Sequence, residues 1–68
     1  MESKIISGML VSFTPHDMMQ IRKTIVINTS HIESVFENFA GEVWIDTVSG
    51  QHIEVAESLD EVLKKISQ

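Results

Sequence analysis

One stretch decides much of what this chain can become: ESLDEVLKKI, residues 57–66. Leu59, Val62, Leu63 and Ile66 recur at helical spacing and form one apolar stripe. Ser58 followed by Glu61 makes a capping box, in which each side chain satisfies a backbone N–H at the helix start. Asp60 and Glu61 stand at the positive end of the helix dipole, Lys64 and Lys65 at the negative end. A helix of about nine residues does not persist alone in water. It must lay its stripe on something, and the residues before it say what.

SGQHIEV, Ser49 to Val55, alternates like a strand, with Ile53 and Val55 inward and His52 and Glu54 outward. EVWIDTV, Glu42 to Val48, alternates too. Val43, Ile45 and Thr47 share one face; Trp44, Asp46 and Val48 share the other. Ser49 and Gly50 between these runs read as a two-residue hairpin turn. Ile25, Val26 and Ile27 are continuous and β-branched, as in a strand covered on both faces. IISGMLVSF, Ile5 to Phe13, alternates more weakly, with Met9, Val11 and Phe13 on one side and Gly8 at a bend or bulge. TPHD, Thr14 to Asp17, reads as a turn.

NTSHIESVFENF, Asn28 to Phe39, admits two readings. Ile32, Val35, Phe36 and Phe39 fit a helical stripe, capped from Asn28, Thr29 or Ser30. The favoured reading is a helical turn at Thr29 to His31 that runs into a short strand. The expected fold is α+β: a four- to five-stranded, mainly antiparallel, curved sheet or partly open small barrel, closed by the C-terminal helix. Its expected core is Met9, Val11, Phe13, Ile25, Ile27, Ile32, Val35, Val43, Ile45, Ile53, Val55, Leu59, Val62, Leu63 and Ile66.

The 68 residues form a single domain, 1–68. A chain of this size buries only about 60 per cent of the surface its unfolded form exposes. Small domains often add disulfides, a metal or an oligomer partner. The chain has no cysteine, which removes disulfides and thiolate metal sites and fits a reducing cytoplasm. Self-association is then the expected reinforcement. The longest apolar runs fall far short of a bilayer span, and no basic n-region precedes one, so the expected location is cytoplasmic.

Charge is distributed unevenly. No Lys or Arg lies between Thr24 and Leu63, while Glu33, Glu37, Glu42, Asp46, Glu54, Glu57, Asp60 and Glu61 all do. Nucleic-acid affinity rests on Lys and Arg neutralising phosphates, so no nucleic-acid partner is expected. The spacing of His16, His31 and His52 matches no short metal-ligand pair. No G-x-S-x-G elbow accompanies the Ser, His and Asp residues, and the three glycines are isolated and form no phosphate cradle. No catalytic, metal or cofactor-binding residue is assigned, no cofactor is expected, and the chain reads as not an enzyme. The candidate interface is Trp44 with Val48 on the face turned away from the helix, joined by Phe39. Arg22 and Lys23 are the candidates for holding an anion or small ligand between subunits.

From KTIVIN onward, the segments IVIN, HIESVFE, VWIDTVSGQHIEV and ESLDEVLKKI follow one another in an order that resembles the small FlbD/SwrD-like proteins. The resemblance spans roughly residues 23–67. Members of that family usually open with a short M-I-x-L-T-x-L-N-G strand, where this chain has MESKIISGMLVSFTPHDMMQ. The resemblance implies a non-enzymatic accessory factor tied to flagellar motor function or swarming, and supplies no catalytic residues. A weaker likeness, to the LytTR-type DNA-binding module, lacks the basic residues such a reader needs. The expectation is therefore a protein-interaction module that self-associates and binds a protein partner. The alternative is a phage-encoded host-directed inhibitor, or an oligomer that sequesters a small ligand or nucleotide.

Overall fold

A computed structural model describes residues 8–16 and 23–67. Its elements in chain order are β1 (Leu10–Phe13), β2 (Ile25–Asn28), a single 3₁₀ turn (Thr29–His31), β3 (Ile32–Glu37), β4 (Val43–Thr47), β5 (His52–Val55) and α1 (Leu59–Ile66). The fold is α+β. β1 and β2 form a two-stranded antiparallel sheet, and β3–β4–β5 a three-stranded antiparallel meander. The strands expected in one curved sheet or partly open barrel thus fall into two sheets, with no closed barrel among the described residues.

Among the described residues the sheets meet at one bridge, Pro15 opposite Val55. The His16 N–H donates to the Glu54 carbonyl, and the Ala56 N–H to the Thr14 carbonyl, both at 2.8 Å. Proline sits at the non-hydrogen-bonded position between these two bonds, where its missing N–H is not needed. TPHD was expected to turn. Instead Thr14 to His16 run alongside β5, while Asp17 lies outside the described residues.

Both meander hairpins use the same device. Asn38 and Thr47 each accept, through the backbone carbonyl, the N–H of a glycine three residues on. Those glycines, Gly41 and Gly50, have φ of 83° and 94°, a conformation costly for any residue with a Cβ. The β4–β5 turn is therefore a three-residue loop, Val48–Gly50, and not the expected two-residue turn. The Asn38 and Thr47 side chains finish the turns by accepting the N–H of Glu42 and of Gln51.

The 3₁₀ turn falls where the sequence placed it, capped by Asn28, whose side chain accepts the Ser30 N–H at 2.9 Å. A register shift between Ile32 and Ser34 then bulges β3 at Glu33. The bulge puts Ile32 and Val35, three apart, on the same inward side. It also sends Phe36 outward, opposite Trp44.

The core joins both sheets and the helix. Phe13, Ile27, Val43, Ile45, Ile53, Val55 and Val62 are buried. Val11, Ile25, Ile32, Val35, Leu59 and Ile66 pack around them. Two expected core residues are corrected: Met9 lies beyond the end of β1 and is exposed, and Leu63 is 45 % exposed. The stripe that α1 buries is narrower than the sequence suggests, because only Val62 is wholly covered. Ile5, also read as part of the first strand, lies outside the described residues. The capping box forms as expected, with the Glu61 N–H on the Ser58 hydroxyl and the Ser58 N–H on the Glu61 carboxylate.

Candidate functional site

The outer face of β3–β4–β5, turned away from the core, carries two cross-strand rows. One is Phe36, Trp44 and Glu54; the other is Ser34, Asp46 and His52. Phe36 is 42 % exposed, Trp44 is half-buried, and Phe39 stands fully exposed at the tip of the β3–β4 hairpin. The hairpin itself fixes the tryptophan. Asn38 Nδ2 and Trp44 Nε1 both donate to Glu42 Oε1, at 2.8 and 3.2 Å. The Asn38 amide first and the Trp44 indole second hold the Glu42 carboxyl below the ordinary glutamate value, because both bonds favour the charged form.

A cleft of about 730 Å³ lies between the β3–β4 hairpin and the start of α1, lined by Val43 and Val55 from the inner side of the sheet and reached by Glu42 and Glu54. Its lining includes Glu37, Glu42, Glu54, Glu57, Asp60 and Glu61, with His16 and no described Lys or Arg. His16 Nδ1 lies 3.0 Å from the Glu54 carboxylate. Glu57 faces a different task. Its carboxylate accepts the Thr14 N–H on both oxygens, at 3.0 and 2.9 Å, and pairs with Lys65 Nζ at 3.0 Å. Lys65 also donates to the Ser12 carbonyl and stands 5.2 Å from the Phe13 ring centre. Burial pushes the Glu57 carboxyl up, but the Thr14 N–H and Lys65 outweigh it, and the net direction is down. The site ties β1 to the helix and leaves Glu57 committed.

The second row contains Ser, Asp and His, so its order matters. Asp46 sits in the middle: its Oδ2 accepts from the Ser34 hydroxyl at 3.2 Å and its Oδ1 lies 2.7 Å from His52 Nδ1. Nucleophilic catalysis needs histidine next to the hydroxyl as its base. Here Asp46 separates the two, and the row is a polar cross-strand network on an open surface.

Of the residues the sequence nominated, Trp44 lies on β4 at the hairpin end of the face, and Phe39 stands wholly exposed in the β3–β4 loop beyond it. Val48, 64 % exposed, sits in the opposite loop, with Asp46 between it and Trp44. Phe36 was missed because its spacing from Ile32 mimics a helical stripe; the bulge at Glu33 is the feature that redirects it. Lys23 is exposed and lines none of the clefts on this face, and Arg22 lies outside the described residues. Among the described residues no three His, Asp or Glu side chains converge in a metal-holding group. No described helix is long and apolar enough to cross a membrane. The chain matches no family model, no curated protein and no solved structure.

Proposed function

We propose that the chain is a non-enzymatic protein-interaction module, an accessory factor of the kind implied by its resemblance to FlbD/SwrD-like proteins, and that the Trp44 face is its working surface. The carrying observation is the open aromatic group: Phe36 opposite Trp44, with Phe39 at the hairpin tip, none of them buried in the core. Apolar rings left in water are worth about 25 cal/mol per Å² to whatever covers them. Aromatic anchors with polar surroundings are also what interface centres are made of. The order of the Ser34–Asp46–His52 row supports the non-enzymatic part of the reading.

Self-association belongs to the proposal, but on another surface. Leu10 and Val26 project from the outer face of β1–β2, which carries no carboxylate among the described residues and suits a second copy. The absence of cysteine agrees with a cytoplasmic setting.

The test is a photo-crosslinking phenylalanine analogue at position Phe39, in cells that make the protein. A discrete adduct that disappears with Trp44→Ala supports the reading, and its mass separates a second copy from another protein. Irradiation that yields only unlinked chain, or an adduct indifferent to Trp44→Ala, overturns it.

A further inference from the structure

Resting on that reading, we propose that the partner of the Trp44 face is a Lys/Arg-rich protein segment with at least one apolar side chain. The apolar group would rest on Phe36 and Trp44, and the cations would reach Glu42 and Glu54. Two carboxylates flank the tryptophan. Glu42 stands two residues before it and accepts its indole N–H; Glu54 lies directly opposite it on β5. The indole face is itself the negative part of the ring quadrupole and attracts ammonium and guanidinium groups. Glu42 and Glu54 also line the acidic cleft, where Lys65 pairs with Glu57 and His16 lies 3.0 Å from Glu54, while Glu42 has no described Lys or Arg against it. A net charge of −5 steers cations toward such a surface and slows anions.

A second copy of the chain fits this face poorly. A two-fold contact would set the same patch against itself, bringing Glu42 and Glu54 against their own equivalents. Like charges opposed across an interface cost several kcal/mol in general. A polyphosphate or duplex is repelled for the same reason.

The probes are three synthetic peptides of equal length. In the first, Lys and Leu alternate with Gly and Ser spacers; in the second Glu replaces Lys; in the third Ser replaces Lys. Trp44 is the sole tryptophan, so its emission reports on this face alone, and amide NMR shifts map the contact. The Lys peptide is expected to shift the Trp44 emission and the Phe36, Glu42 and Glu54 amides. Its affinity is expected to fall on the order of tenfold as salt shortens the screening length from about 10 Å to about 3 Å. Paired Glu42→Gln and Glu54→Gln substitutions are expected to weaken it severalfold. Glu54→Gln alone serves as a second variant, because Glu54 stands outside the Asn38–Glu42 hydrogen-bond set. Equal or tighter binding of the Glu or Ser peptide at these residues overturns the basic-partner inference and leaves the interaction face standing. So does a Lys-peptide footprint elsewhere on the chain. Silence of all three peptides, with no Phe39 adduct in cells, overturns both.

Discussion

At the scale of single residues, two glutamates, Glu57 and Glu42, each accept more than one hydrogen bond on the carboxylate. Glu57 has an 11 % exposed side chain and holds the Thr14 backbone N–H and Lys65 together. A carboxyl whose folded value is lowered contributes stability that is complete above its unfolded value, here 4.5, and is lost as pH falls through the folded one. Glu57→Gln keeps an acceptor but loses the charge, and is expected to cost roughly 1–3 kcal/mol at neutral pH. The measurement is urea denaturation across pH: the variant's deficit should shrink below pH 4.5. A deficit that stays constant down the acid range would assign the effect to packing. Glu42 offers a cleaner optical readout, because its carboxylate accepts the Trp44 indole N–H. The Trp44 emission is expected to titrate with a midpoint below 4.5, and Glu42→Gln should abolish that transition. Emission that titrates equally in the variant would trace the signal to another group.

At the scale of elements, the meander and the helix were legible in the sequence because each carries more than one agreeing signal. Alternation, glycine turns and β-branched residues agree for β4 and β5; cap, stripe and charge gradient agree for α1. The 3₁₀ turn was legible through its Asn28 cap. What the sequence hid was geometry that breaks period. The bulge at Glu33 makes residues three apart share a face, so Ile32 and Val35 imitate a helix while lying in a strand, and Phe36 goes outward. Thr14 to His16 use turn residues to continue beside β5, because a proline between two ladder bonds needs no N–H. The aromatic site was accordingly half legible: Trp44 and Phe39 could be read from alternation and composition, whereas Phe36 depended on the bulge. The helix stripe was overread in the same way, since periodicity gives a direction but not how far the core extends around it. Val62 is wholly buried and Leu63 is 45 % exposed. Val62→Ala is therefore expected to cost about 2 kcal/mol, a buried large-to-small change. Leu63→Ala should stay within about 0.5 kcal/mol, as a surface change does. Thermal denaturation of the pair checks this, and equal losses would mean that the helix docks rotated toward Leu63.

At the scale of the whole molecule, the backbone hydrogen bonds that join the two sheets among the described residues lie around the Pro15–Val55 bridge, yet the sheets do not own separate cores. Phe13, from the two-stranded sheet, is 1 % exposed and belongs to the same cluster as Val43 and Ile45 from the meander and Val62 from the helix. Neither sheet can bury its inner face without the other, and a two-stranded hairpin alone is at best marginally stable in water. The Lys65 ammonium adds a second tie, reaching Ser12 at β1 and Glu57 at the base of the helix. Unfolding is therefore expected to be one cooperative transition. Trp44 emission reports only the meander, while far-UV circular dichroism sums all strands and the helix, so the two probes are independent. Their urea curves should superimpose, and Phe13→Leu should move both midpoints down together. If the circular dichroism change begins first and Trp44 follows at higher urea, the β1–β2 sheet is a separately melting appendage. The shared core would then be too weak to couple it, and the outer face of β1–β2 would need a second copy to hold it in place.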